Sequence, residues 1–104
     1  MTRRNLPNRR RHDFVTFVHG GFRFHGGAGY FPDGELAEIF LNAEKTGTAI
    51  AVNASDAAIS ASLLLQFGCP PVILRRALTR NTDGTAAGPL GAMLDLLARE
   101  SGNA

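Results

Sequence analysis

Cysteine is nearly absent from this chain of 104 residues, which carries only Cys69, and tryptophan is missing altogether. A single thiol excludes an internal disulfide, a redox dithiol and any zinc site built from two thiolates of one chain. Long hydrophobic runs are lacking as well, and none approaches the roughly 18–20 residues of a membrane span. No apolar stretch stands directly behind the first positive charges, so a secretory signal is not expected and a cytoplasmic location is. The sequence also has no P-loop, dinucleotide fingerprint, HExxH pair or nucleophile elbow. Gly20-Gly21 and Gly26-Gly27-Ala28-Gly29 are not followed by GK[ST] or by a helix, and they read as turns and a strand bulge. His12, His19 and His25 show no ligand spacing, although His19 and His25 flank a hairpin and would face each other. Cys69, before Pro70, reads as a small buried apolar residue. No catalytic residue, cofactor site or metal site is expected.

What the chain does have is an ordinary globular composition, 44% hydrophobic and 19% charged, at a length suited to one domain and one core. Its formal charge of +2 is unevenly placed. Arg3, Arg4, Arg9, Arg10 and Arg11 precede the first acidic residue, Asp13, and supply five positive charges. The stretch from Asp13 onward holds six basic and nine acidic groups, a net of −3. Residues 1–12 therefore read as a basic, extended arm, interrupted by Pro7 and without stable structure of its own. Residues 13–104 read as a single α+β domain.

Within that domain the first part is β structure. Phe14 to Val18 are strand formers. Phe22 and Phe24 alternate with Arg23 and His25, and Tyr30-Phe31 resume the strand after the glycines. Pro32-Asp33-Gly34 forms a tight turn. Leu36 to Leu41 make a third strand, with Ala37, Ile39 and Leu41 on one face and Leu36, Glu38 and Phe40 on the other. Among the carboxylates Asp33, Glu35, Glu38 and Glu44, Glu38 is placed to pair with Arg23 across the ladder.

Helices follow. Asn53 is the expected N-cap of the first, with Asp56 facing its positive end. From Ala57 to Phe67 this helix is expected to be largely buried, and Gly68 ends it. A second helix runs from Pro71 to about Arg80, turning Ile73, Leu74, Ala77 and Leu78 inward. A third starts at Pro89 with the stripe Leu90, Met93, Leu94 and Leu97. The expected fold is a three-stranded antiparallel β-meander followed by three helices packed on one sheet face. Arg75, Arg76 and Arg80 cluster on the second helix, Arg76 and Arg80 one turn apart. With Arg9, Arg10 and Arg11 they are the candidate contacts for phosphates or a partner.

One ordered series runs through the domain. It comprises Phe31-Pro32-Asp33-Gly34, Leu36 to Leu41 with Glu38, Asp56-Ala57-Ala58, Ser62-Leu63 with Gln66 and Gly68, Arg76-Ala77-Leu78 with Arg80, and Gly88-Pro89-Leu90-Gly91 with Leu94-Asp95. This series resembles the TSCPD-type domain at the C-terminus of adenosylcobalamin-dependent (class II) ribonucleotide reductases, in particular its short stand-alone bacterial copies. Leu6-Pro7-Asn8-Arg9-Arg10 is similar to the lead-in of that domain. The resemblance implies a link to ribonucleotide reduction without catalysis by this chain, because the radical cysteine, the redox pair and the cobalamin pocket belong to a far larger barrel. Cysteines suggestive of a metal site in relatives are absent here, and Ala51 and Ser55 stand where relatives carry Asp and Arg.

The resulting expectation is a non-catalytic accessory or binding module, forming a homo-oligomer, whose partners are its own copies and a ribonucleotide reductase or a nucleotide. The alternative is a nucleic-acid-associated protein that holds phosphates through the arm and the arginine face. No membrane association is expected.

Overall fold

The computed structural model describes residues 2–100. Strands β1 (His12–His19), β2 (Phe22–Tyr30) and β3 (Leu36–Ala43) form one antiparallel sheet in the order β1-β2-β3. Helices α1 (Ala49–Gln66), α2 (Pro71–Ala77) and α3 (Pro89–Glu100) follow, so the chain has the expected α+β architecture. The β1–β2 turn is Gly20-Gly21, with φ of 59° and 81°, a left-handed pair that suits the twist of a two-residue hairpin.

The strand register separates two faces. On the inner face, Phe24, Ile39 and Leu41 are at most 2% exposed, and they meet Ala54, Ala58 and Leu65 of α1 and Met93 of α3. On the outer face, β1 contributes His12, Phe14, Thr16 and Val18, beside Arg23, His25, Gly27 and Gly29 of β2 and Glu38 and Phe40 of β3. Phe14 is 81% exposed and Val18 64%.

The irregularity expected at the glycines of β2 is present at the end of their run. The strand runs regularly through Gly26, Gly27, Ala28 and Gly29, and its register shifts at Gly29/Tyr30. The small size of these glycines is used for close approach. A Cβ on Gly26 would stand 2.8 Å from Met93 Sδ, so α3 sits directly on the sheet there. The rings of Phe14 and Phe40 close over Gly27, and the Glu38 side chain occupies the space above Gly29.

The two sheet edges are treated differently. Alternation along β3 points the backbone groups of Ala37 and Ile39 away from β2. Side chains of α1 engage them: Ser62 Oγ accepts the Ile39 N–H at 2.8 Å and lies 3.1 Å from the Ile39 carbonyl oxygen. Gln66 Nε2 donates to the Ala37 carbonyl at 3.1 Å. Ser62→Ala leaves the Ile39 amide without that partner. The expected cost is about 1–3 kcal/mol, read as a lower denaturation midpoint at unchanged slope.

Several helix expectations are corrected. α1 begins at Ala49, not near Asn53; Thr48 is the N-cap, and its Oγ1 accepts the Ala51 N–H at 3.1 Å. Asp56 therefore lies in mid-helix, away from the positive end. Among the described residues nothing covers the outward side of α1, where Ile59 (57%), Leu63 and Leu64 are exposed rather than buried. This helix is 18 residues long with a mean hydropathy of 1.2, long and apolar enough to cross a membrane by length and composition alone. α2 stops at Ala77 because Leu78 is extended (ψ 150°), and Ile73 and Ala77 face outward while Leu74 is buried. Arg80 thus lies beyond the helix, in a bridge to Ala86, and shares no helical face with Arg76. The α3 stripe is as expected: Leu90, Met93 and Leu94 are buried and Leu97 partly so.

Candidate functional site

The arm lies on the body. Arg4 N–H donates to the Gln66 carbonyl at 2.8 Å, and Arg3 Nε donates to Gln66 Oε1 at 2.7 Å. The Arg4 guanidinium stacks 3.8 Å above the Phe31 ring and reaches Asp33 at 2.7 Å and Glu35 at 3.5 Å. The Glu35 N–H, and after it Arg4, hold the Asp33 carboxyl below its ordinary range. Arg10 Nε donates to Glu38 Oε1 at 2.7 Å, and His12 Nε2 lies 3.0 Å from the same oxygen. Burial alone would raise the Glu38 carboxyl, but the bonds from Arg10 and His12 outweigh it, and the net shift is downward. Glu38 is 7% exposed, so this is a nearly buried carboxylate whose Oε1 meets both Arg10 and His12. Its expected pairing with Arg23 does not form; Arg23 meets Glu44 at 3.4 Å. His19 and His25 also part, His19 Nε2 meeting the Ala86 carbonyl oxygen at 3.0 Å and His25 Nδ1 the Thr16 hydroxyl at 3.2 Å.

A second ionic group joins the helices. Arg80 grips both oxygens of Asp95, Nη1 to Oδ2 at 2.6 Å and Nη2 to Oδ1 at 2.8 Å, and Arg75 Nε adds a bond of 2.7 Å to Oδ1. The Arg80 bonds, partly opposed by burial and supported by Arg75, bring the Asp95 carboxyl down to about 2. The motif positions Asp33, Glu38, Gln66 and Asp95 are thus anchors. The first three hold the arm, and the last ties α2 and the following loop to α3.

Of the six arginines singled out in sequence, Arg11, Arg75 and Arg76 share one cleft of about 730 Å³, with Tyr30, Leu36 and Leu97 among its walls. Arg11 stacks 4.0 Å over the Tyr30 ring and bonds Asp13 at 2.9 Å. Burial, reinforced by Asp13, pushes the Tyr30 hydroxyl up. Arg76 is exposed at this cleft, whereas Arg9 lies on the exposed part of the arm. Arg10 and Arg80 lie elsewhere, in the ion pairs above. A smaller groove of about 340 Å³ is lined by Ile50, Asn53 and Ala57 of α1 and by the motif positions Gly88, Pro89 and Gly91. Among the described residues no group of three His, Cys, Asp or Glu side chains is placed to hold a metal ion.

The anchoring roles of Arg3 and Arg4 are not evident from the sequence motifs. The signal for them was the charge asymmetry itself, since a basic arm beside an acidic body has counter-ions within its own chain.

No family model matches the chain. No solved structure matches it either. Among curated proteins it is 38% identical over 68 residues to the vitamin B12-dependent ribonucleotide reductase of Agrobacterium fabrum (strain C58 / ATCC 33970), covering 65% of this chain and 5% of that one. The corresponding protein of Bradyrhizobium diazoefficiens is 37% identical over 68 residues, with the same coverage. The chain thus spans about one twentieth of the length of these relatives. Along that shared stretch, and in agreement with the ordered motif series, it is similar to a region of vitamin B12-dependent ribonucleotide reductase.

Proposed function

We propose that the chain is a non-catalytic accessory module, related to that region of the reductase, which associates with its own copies and with a reductase. The observation that supports this most is the use made of the motif residues. Asp33, Glu38, Gln66 and Asp95 are committed to bonds that hold the arm and the helices in place. A residue series that resembles part of a large enzyme but is spent on scaffold bonding fits a recognition unit better than a reaction centre.

The test is a titration of the chain into a vitamin B12-dependent ribonucleotide reductase, followed by fluorescence anisotropy and by deoxynucleotide formation. Saturable binding with no turnover by the chain alone is the expected result. Turnover by the chain alone with adenosylcobalamin overturns the non-catalytic role. No binding, together with an unaltered nucleotide-binding profile of the reductase, overturns the accessory role.

The cleft that gathers Arg11, Arg75 and Arg76 supports a second reading, in which the module takes phosphate groups of a nucleotide or nucleic acid. With Arg10, Arg11, Arg75 and Arg80 already paired to carboxylates, Arg76 at the cleft and Arg9 on the arm carry most of this affinity. Arg9→Ala combined with Arg76→Ala then weakens binding to a single-stranded oligonucleotide and flattens its salt dependence.

A further inference from the structure

The two edges of the sheet point to where self-association occurs. The β3 edge is closed by Ser62 and Gln66. The β1 edge is not. The Arg11 carbonyl accepts the Tyr30 N–H at 3.1 Å, which sets the alternation: residues 13, 15, 17 and 19 bond β2, while His12, Phe14, Thr16 and Val18 point their backbone groups outward. Among the described residues, no hydrogen bond from another element reaches the backbone of Phe14, Thr16 or Val18. The strand is eight residues long, and its sequence HDFVTFVH contains no Pro and no Lys, the residues that commonly blunt an edge.

We propose that β1 pairs antiparallel with β1 of a second copy, centred on Thr16, joining two three-stranded sheets into one continuous sheet. The inference rests on the self-association in the reading above and gives it a surface and a register. The strand is self-complementary about Thr16. Phe14 falls opposite Val18 of the second copy on the outer face, covering two of the most exposed apolar side chains of the sheet. On the inner face, Val15 falls opposite Phe17, and Asp13 falls opposite His19, a carboxylate facing an imidazole. A shift by one residue would place Phe14 opposite Phe17 and bring inner-face and outer-face side chains together. An isologous contact of this kind closes on itself as a two-fold dimer and leaves no free β1 edge.

Sedimentation equilibrium and oxidative cross-linking, both on the full chain, test it. The wild-type chain is expected at twice 11.1 kDa. Val18→Lys, at an exposed side chain, and Thr16→Pro, which removes an N–H not used by the β1–β2 ladder, are expected to return it to the monomer mass with an unchanged far-UV circular dichroism spectrum, and with a thermal midpoint that no longer depends on protein concentration. In a Cys69→Ser background, Thr16→Cys is expected to form a disulfide-linked dimer, because facing residues of such a pair have Cα atoms about 5.5 Å apart. A dimer that survives Val18→Lys and gives no Thr16→Cys cross-link overturns the edge while leaving self-association intact. A wild-type monomer at millimolar concentration overturns self-association itself, leaving the reductase titration to judge the accessory role separately. A wild-type monomer whose reductase binding is lost in Val18→Lys overturns the second copy as the occupant and gives the edge to a strand of the reductase.

Discussion

Asp95→Ala is expected to lower the unfolding free energy by about 3 kcal/mol, among the largest effects of any single surface-adjacent substitution in this chain. Three bonds of 2.6–2.8 Å end on this carboxylate, and its side chain is only 18% exposed. Its removal takes the carboxylate from Arg75 and Arg80 and breaks the ionic tie of α2 and the following loop to α3. Urea denaturation of wild-type and variant chains measures the loss. The pH dependence carries the same signature. Folding lowers the Asp95 carboxyl from its ordinary 3.8 to about 2, so its contribution is fully present above 3.8 and is lost as pH falls through 2. The size of that contribution is about 2 kcal/mol at most. The variant should therefore show a shallower decline in stability between these values, and an equally steep decline would count against the assignment.

Gly29→Ala is expected to cost about 2 kcal/mol and to loosen the arm. A Cβ there collides with the Glu38 carboxylate, which must move away from both Arg10 and His12. Two readouts follow. Trypsin should cleave after Arg9, Arg10 or Arg11 faster than in the wild-type chain, because those bonds become accessible. In addition, Glu38→Ala removes the group that is displaced, so the double variant should lose less than the sum of the two single variants. Additive losses would show that the Gly29 cost arises in the strand rather than through Glu38.

The order of elements was legible because each one announces itself by a local rule. Phe22 and Phe24 alternate with polar neighbours, Gly20-Gly21 turns the chain, and Leu90, Met93, Leu94 and Leu97 recur at helical spacing. What was hidden depends on contacts distant in sequence. Asn53 with Asp56 has the form of a helix start, but Thr48 supplies the cap earlier and the alanine-rich segment continues it. Ile73 is apolar and still faces outward, since α2 has only two turns and Leu74 alone meets the core. Gly26 and Gly29 read as breaks in a strand, while their actual use is to admit Met93 and Glu38 from elsewhere in the chain. The arginines cluster in sequence, and clustering does not reveal which of them already face Asp95 or Glu38. That information lies in the tertiary pairing.

The folded-back arm also alters how the protein is sensed at a distance. Arg4, Arg10 and Arg11 each sit within 3 Å of a carboxylate oxygen of the body, so most of the opposite charges cancel as short dipoles. The potential of such dipoles dies away faster than that of separated charges, and at physiological ionic strength it is spent within about 8 Å. A chain whose formal charge suggests a cationic tail sweeping the solvent for polyanions instead meets its partners almost blind to long-range steering. Encounters with its own copies or with a reductase will be set by the shape and stickiness of the surfaces that touch, and those association rates should change little with added salt.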